Sequence, residues 1–109
     1  IEETVFFQVE GMALVLWGRD KLAADSGVED TGPGAAALAL NVRSRAEVDA
    51  ALAEAAAAGA EITKAARETF YGGYAGHFRD PDGHVWEIAC NLGFTLNPDG
   101  SLTLPDFGA

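Results

Sequence analysis

The sequence is poor in basic residues and contains a single cysteine. Seven Lys and Arg accompany 17 Asp and Glu, which gives a formal net charge of −10. Such a surface repels phosphate groups, so nucleic acid and anionic membranes are poor candidate partners. Cys90 has no second cysteine to pair with, no apolar run reaches the roughly 20 residues that cross a bilayer, and no signal peptide with a basic start is expected. These absences favour a reducing, cytoplasmic setting.

The composition that remains is that of one folded domain. The sequence has 109 residues, of which 49% are hydrophobic, and this is enough for a single core. It begins with Ile1 rather than Met and reaches a predicted strand by Thr4. We therefore expect residues upstream of Ile1 to be missing from this sequence.

The stretch TVFFQVEGMALVLWGRD predicts a β-hairpin. Its turn is Glu10-Gly11, because glycine readily adopts the backbone angles of a tight turn. A two-residue turn pairs Val9 with Met12 and places alternate side chains on opposite faces. The predicted core face carries Val5, Phe7, Val9, Met12, Leu14 and Leu16. The other face, predicted to be concave, carries Thr4, Phe6, Gln8, Ala13, Val15 and Trp17.

A strand and a capped helix come next. AAALALNV predicts a strand with Asn41 on one face, and the helix is predicted from Arg45 to about Ala58. Ser44 is its N-cap, and Glu47 three residues later completes a capping box that satisfies two free backbone N–H groups.

The remaining segments are less regular. AEITKAARETF predicts a strand that is broken near Ala65 and Ala66, and YGGY predicts a glycine-rich bend. KLAADSG allows a short helix at most. The segment from residue 93 to residue 109 predicts no packed element.

The segment GHFRDPDGHVWEIACN predicts a second hairpin, and its register determines what Glu87 faces. If Pro81-Asp82-Gly83 is a three-residue loop, Asp80 pairs with His84 and His77 lies opposite Glu87. Arg79 is then the diagonal neighbour of Glu87. Glu87 either forms a local ion pair on a partly wet sheet face or belongs to the polar floor of a cavity, as a metal ligand or a base.

The chain resembles the vicinal-oxygen-chelate superfamily, which includes glyoxalase I, bleomycin- and fosfomycin-resistance proteins and extradiol dioxygenases. The resemblance rests on GHFRDPDGHVWEIACN and on the preceding ALALNVRSRAEVDAALAEAAAAGAEITK. It implies an α+β fold of paired βαβββ modules whose curled sheets enclose a metal and a small substrate. Residues 35–92 would form the second module, 1–34 the remainder of a first module truncated at its N-terminus, and 93–109 a tail.

The resemblance also implies four positions for metal ligands. One lies upstream of Ile1, and Glu87 matches the glutamate of the final strand. The other two fall at Val15 and Ala37, whose aliphatic side chains cannot bind a metal. The site is therefore predicted to be degenerate and without a cofactor, and a divalent metal is the alternative. In that case His77, at a position where fosfomycin-resistance proteins contact substrate, would join Glu87 as a substitute ligand.

We therefore predict a glyoxalase/bleomycin-resistance-like protein that binds a small molecule in a concave cavity. The predicted ligand-binding residues are Phe6, Gln8, Trp17, Asn41, Tyr74, His77, Arg79 and Glu87. One alternative is a metal-dependent lyase or dioxygenase that uses Glu87, His77 and an upstream residue, and another is a structural dimerisation module. Whether the protein is an enzyme stays open. A homodimer is expected, because a partial first module leaves exposed sheet edges.

Overall fold

The fold, taken from a computed structural model, is described for residues 4–29 and 36–105. Its strands and helices, in chain order, are β1 (Thr4–Val9), β2 (Met12–Trp17), α1 (Arg19–Ser26), β3 (Ala37–Asn41), α2 (Arg45–Ala57), β4 (Glu61–Glu68), β5 (Tyr74–Arg79), β6 (Val85–Cys90), β7 (Thr95–Leu96) and β8 (Leu102–Thr103). Four strands form one sheet in the order β3-β6-β5-β4, with β3 parallel to β6 and the other neighbours antiparallel. The succession β3-α2-β4-β5-β6 confirms the predicted α+β fold and its βαβββ module.

Helix α2 covers one face of this sheet. The Glu47 backbone N–H donates to Ser44 Oγ at 3.2 Å, which confirms the predicted N-cap. Val48 and Leu52 are buried and pack against Ile88 and Cys90 of β6. Cys90 is therefore an internal apolar residue, as its side of the strand predicts.

Strand β4 contains more residues than the strand beside it. It has eight residues against six in β5, and the register shifts between Ile62 and Lys64 and again between Lys64 and Arg67. Such bulges change which side chains share a face. Lys64 lies opposite His77 and Arg67 opposite Ala75, so two residues three positions apart both point to the face away from α2. The predicted break near Ala65 and Ala66 falls at the second shift.

The β5–β6 hairpin has the predicted register. His77 pairs with Glu87, and the Asp80 backbone N–H donates to the His84 carbonyl at 2.9 Å. Within the loop, the Gly83 N–H donates to the Asp80 carbonyl and Gly83 has φ +89°. This is a backbone angle that side chains larger than glycine rarely adopt.

The β1–β2 hairpin also has the predicted register, from Val9 opposite Met12 to Thr4 opposite Trp17. The prediction of its core face is wrong. The side chains predicted to be core are between 41% and 60% exposed, and they are Val5, Phe7, Val9, Met12, Leu14 and Leu16. The reason is that the tail packs on the opposite face, where Phe94 lies edge-on to Phe6 with ring centres 6.2 Å apart.

The tail is a packed element that the sequence did not predict. β7 and β8 pair with each other, and the Leu102 N–H donates to the Gly11 carbonyl at 2.8 Å. Arg43, just after β3, donates to the carbonyls of Leu96 and Asn97 at 2.9 and 2.8 Å. The tail therefore joins the first hairpin to the βαβββ module.

No helix among the described residues is long and apolar enough to cross a membrane.

Candidate functional site

The site is built on the sheet face away from α2, where β5 and β6 each contribute one polar side chain. His77 Nε2 lies 3.3 Å from Glu87 Oε2. The His77 side chain is only 1% exposed, whereas that of Glu87 is 21% exposed. Because the two residues are cross-strand partners, the sheet itself holds them together.

A third side chain reaches this pair from outside the sheet. Asp25, in the last turn of α1, has Oδ2 at 3.5 Å from His77 Nε2. One candidate ligand atom from each of Asp25, His77 and Glu87 lies within 4.8 Å of the other two. These residues form the acid–histidine cluster discussed below, with its carboxylates partly open to solvent.

The C-terminal end of α1 is held on the sheet by side chains of β4. Thr63 donates to the Ser26 carbonyl at 2.8 Å, Lys64 to the Ala24 carbonyl at 3.0 Å, and Arg67 to the Asp25 carbonyl at 3.2 Å. These are carbonyls at a helix end, which lack partners within the helix and favour nearby cations. Helix α1 has no basic residue in its own last turn, so β4 supplies the positive charge.

A glycine allows α1 to approach β4 this closely. Gly27 follows the helix with φ +76°, and a Cβ there would lie 2.5 Å from the Thr63 carbonyl oxygen. A larger residue would displace the end of α1 and, with it, Asp25.

The two distances from His77 to the carboxylates fit a metal ion. With metal–ligand bonds of about 2.1 Å, neighbouring ligand atoms are separated by about 3.0 Å in an octahedral site and about 3.4 Å in a tetrahedral one. His77 Nε2 lies 3.5 Å from the Asp25 oxygen and 3.3 Å from the Glu87 oxygen, and all three candidate ligand atoms lie within 4.8 Å of one another. A charge-assisted hydrogen bond is shorter, at about 2.7–2.9 Å.

The second ring nitrogen of His77, Nδ1, is not the one that faces the two carboxylates. His77 Nδ1 is buried and has no hydrogen-bond partner within 4–29 and 36–105. Neutral imidazole is the form of histidine that binds metals. A metal-bound histidine usually donates its second N–H, so a water molecule would have to accept it here.

Tyr71 borders the cluster from the loop between β4 and β5. Its ring is partly exposed, but burial around the hydroxyl, followed by the negative charge of Glu87, raises the pKa of the phenol above its ordinary value. The phenol therefore keeps its proton at neutral pH and is a hydrogen-bond donor.

The structure brings together only two of the predicted site residues, His77 and Glu87. Arg79 does not pair with Glu87 as predicted. Its guanidinium is 3.1 Å from Glu61, its cross-strand partner in β4. Arg79 therefore pairs with its direct neighbour in β4 and not with Glu87, its diagonal neighbour in the β5–β6 hairpin.

Tyr74 and Gln8 also lie elsewhere than predicted. Tyr74 faces α2, where its hydroxyl donates to Asp49 at 2.7 Å and Arg45 lies 5.1 Å above its ring. Gln8 is exposed and binds the tail, accepting from the Leu104 N–H at 2.6 Å. Gln8 therefore has a structural role in these contacts.

The other three predicted residues are only partly buried. Phe6 packs against Phe94 of the tail, Trp17 ends β2 opposite Thr4, and Asn41 ends β3 opposite Ala89. Their predicted contacts with a ligand remain predictions.

Sequence reasoning missed Asp25 and Arg67. Asp25 lies in an ordinary stretch, KLAADSG, far from the motif that contains Glu87, and no spacing connects the two. For Arg67 there was a signal, since the predicted break in β4 changes which face the residues after it occupy.

Comparisons with known proteins agree with this fold. The family model for the Glyoxalase/Bleomycin resistance protein/Dioxygenase superfamily matches residues 8–88. The chain is similar to a glyoxalase-related enzyme from Fulvimarina pelagi, with 40% identity over 94% of this chain and 75% of that one, and a TM-score of 0.65. A glyoxalase/bleomycin resistance protein/dioxygenase family enzyme from Burkholderia phytofirmans PsJN matches at 33% identity, over 67% of this chain and 55% of that one, with a TM-score of 0.53. No curated protein matches the chain.

Proposed function

Because this chain belongs to the glyoxalase/bleomycin resistance protein/dioxygenase superfamily, we propose that it binds a divalent metal ion at the acid–histidine cluster. The ion would help hold a small molecule with oxygen donor atoms on the sheet face that carries His77 and Glu87. The protein would then act as a metal-dependent lyase or dioxygenase. Asp25 takes the place of the upstream residue expected as the third ligand.

This proposal rests on one observation. Three candidate ligand atoms converge, one from the buried His77 and one from each of two carboxylates. One imidazole and two carboxylates suit first-row ions such as Mn²⁺, Fe²⁺, Ni²⁺ and Zn²⁺. Three protein ligands leave coordination positions free, as in catalytic metal sites. When bound, the ion would supply Lewis-acid chemistry, polarising a substrate carbonyl or acidifying a water molecule.

The chain's own residues would orient the small molecule. Asp25 and Glu87 reach solvent on one side, at 17% and 21% exposure, while His77 is closed off beneath them. A ligand would therefore approach over the two carboxylates. There the protonated Tyr71 phenol can donate a hydrogen bond to an oxygen of the ligand.

A second candidate is binding of a small molecule without a metal. It is favoured by the contact of Arg67 with Asp25 Oδ1 at 3.0 Å, which already gives Asp25 a positive partner. The aliphatic Val15 and Ala37 at two positions that carry ligands in metal-dependent relatives also favour it. In this case Glu87 would be an acidic contact for a ligand with hydrogen-bond donors.

Calorimetric titration of the metal-stripped protein separates the two candidates. The chain is titrated with Mn²⁺, Ni²⁺, Zn²⁺ and, anaerobically, Fe²⁺, and so are the variants Asp25→Asn, His77→Gln and Glu87→Gln. We expect one site per chain. Substitution of an outer-shell residue typically lowers metal affinity by about 10–100-fold. Each of these variants removes a ligand and should lose at least as much.

Glu61→Gln is the matched control. Glu61 is also a carboxylate of this sheet, and its partner is Arg79 rather than a residue of the cluster. It should leave affinity unchanged, and near-ultraviolet circular dichroism confirms that each variant is folded. Absence of binding by the wild-type chain would overturn the metal proposal and leave the metal-free pocket.

A further inference from the structure

Arg67 is bonded in a way that determines which oxygen of Asp25 faces the cluster. Its Nη1 donates to the Ala75 carbonyl at 2.6 Å, and its Nη2 donates to the Asp25 carbonyl at 3.2 Å and to Asp25 Oδ1 at 3.0 Å. The guanidinium is thus fixed to β5 on one side and to α1 on the other. Its rigid fork of donors allows this, because a guanidinium presents several N–H groups in one plane.

The two oxygens of Asp25 therefore have different partners. Oδ1 accepts from Arg67, and Oδ2 is the atom 3.5 Å from His77 Nε2. Exchanging the two equivalent oxygens would recreate the same two contacts, whereas rotating the carboxylate away from the cluster would break the bond to Arg67. The guanidinium consequently keeps one oxygen of Asp25 aimed at the cluster.

We propose that Arg67 is the positioning residue of the metal site, holding Asp25 so that it binds the ion through Oδ2 alone. This inference rests on the metal site proposed above. Asp25 needs such support because it comes from α1, whereas His77 and Glu87 are held by adjacent strands of one sheet. Outer-shell partners of this kind orient ligands and raise metal affinity.

Lys64 offers a control within the same strand. It lies on the same face as Arg67, opposite His77, and its ammonium also binds the end of α1, at the Ala24 carbonyl. Within the described part of the chain, this ammonium makes no hydrogen bond or ion pair with the Asp25 side chain. Lys64 therefore shares the positive charge and the helix-anchoring role of Arg67 but not the bond to Oδ1.

A charge effect of Arg67 and a positioning effect predict opposite changes in Mn²⁺ affinity when Arg67 is replaced. If Arg67 acted through charge alone, Arg67→Gln would strengthen Mn²⁺ binding, because it removes a cation close to the site. The same would hold for Lys64→Gln. If Arg67 positions Asp25, Arg67→Gln weakens binding although a positive charge has been removed.

Mn²⁺ titrations of the wild-type chain, Arg67→Gln, Arg67→Lys and Lys64→Gln provide the test. We expect Arg67→Gln to lose about tenfold or more in affinity, and Lys64→Gln to bind as tightly as wild type or tighter. Arg67→Lys keeps the charge but replaces two nitrogens, which donate separately to Ala75 and Asp25, by one, so it should also weaken binding. In the Asp25→Asn background, Arg67→Gln should no longer weaken Mn²⁺ binding, since the residue that Arg67 positions is already lost and only the effect of removing its charge remains.

Infrared difference spectra with and without Mn²⁺ give an independent readout, because carboxylate stretching frequencies distinguish one-oxygen from two-oxygen coordination. The Asp25 band should be of the one-oxygen type in wild type and should shift in Arg67→Gln. If Arg67→Gln does not fold, Arg67→Lys decides the matter by the same two measurements. Unchanged or tighter Mn²⁺ binding by the folded Arg67 variant would overturn this inference. Failure of the wild-type chain to bind Mn²⁺ would instead overturn the metal proposal itself.

Discussion

Asp25 Oδ2 lies 3.5 Å from His77 Nε2, although the two residues are separated in the sequence by the whole of β3, α2 and β4. The contact depends on the end of α1 reaching the sheet face away from α2. There β4 holds it through Thr63, Lys64 and Arg67. The site is therefore as stable as the attachment of α1, and substitutions in β4 should affect it without touching its ligands.

The tail depends on Gln8, whose side chain accepts from the Leu104 N–H at 2.6 Å and donates to the Leu102 carbonyl at 3.0 Å. Gln8→Ala should remove both bonds and lower the local unfolding free energy by about 1–3 kcal/mol, since each bond has a usual net value of about 0.5–1.5 kcal/mol. Amide hydrogen exchange at Leu104 should become faster. Gln8→Glu keeps the acceptor but puts a second oxygen where the amide donates to the Val9, Met12 and Leu102 carbonyls, so it should protect Leu104 only in part. The Gly100 amide, bonded within the tail turn, should exchange equally in all three proteins. Unchanged exchange at Leu104 in Gln8→Ala would refute this role.

Gly76 permits close packing of α2 on β5. A Cβ at this position would overlap Leu52 Cδ1 and would lie 3.0 Å from the Ala66 nitrogen. Gly76→Ala should therefore lower the free energy of unfolding by about 1–3 kcal/mol, the usual cost of overpacking. Urea denaturation measures this value.

A double-variant cycle tests the cause of that loss. In the Leu52→Ala background, which removes the overlapping methyl group, Gly76→Ala should cost less than it does in wild type. Additive costs would show that Leu52 is not the source of the strain.

Asp80 links stability to pH through its bonds in the β5–β6 loop. The bond from Trp86 Nε1, at 3.0 Å, is the main cause that holds the pKa of Asp80 below its ordinary value, and the His84 and Asp82 N–H groups add to it. A folded pKa below the unfolded value of about 3.9 means that the carboxylate stabilises the fold above that pH. This stabilisation is lost as the pH falls through the folded pKa.

Urea midpoints of wild type and Asp80→Asn, measured from pH 6 to pH 2.5, check this linkage. The variant should be less stable at pH 6, and the difference should shrink below about pH 4. Asp99, whose pKa is also lowered, chiefly by the Ser101 hydroxyl, is present in both proteins and cancels in the comparison. A difference that stays constant down to pH 2.5 would mean that the charge of Asp80 contributes nothing.

The homodimer expected from the sequence remains a prediction, and the exposed apolar face of the first hairpin is where it can be tested. Leu14 and Leu16 are each 54% exposed there. If a second copy covers this face, Leu14→Glu would bury a charge and raise the dimer dissociation constant about tenfold or more. Sedimentation velocity over a concentration series measures it. Leu92→Glu, at an 85% exposed position just before the tail, should change nothing, and a wild-type chain that stays monomeric would exclude the dimer.

Local chemistry determined much of this protein before any tertiary contact. Turn residues set both hairpin registers, including the pairing of His77 with Glu87, because loop length dictates which residues face each other. Ser44 and Glu47 marked the start of α2 in the same way. These features depend on neighbours a few positions apart, so they can be inferred from the sequence alone.

The composition of the site was decided only by the tertiary structure. Asp25 reaches His77 because bulges in β4 place Lys64 and Arg67 on one face, where they hold the end of α1. Likewise, the tail covers the Phe6 face of the first hairpin, so the apolar face predicted to be core is exposed. In both cases the outcome depends on which distant segments pack together, and alternation along a strand carries no information about what will cover each of its faces.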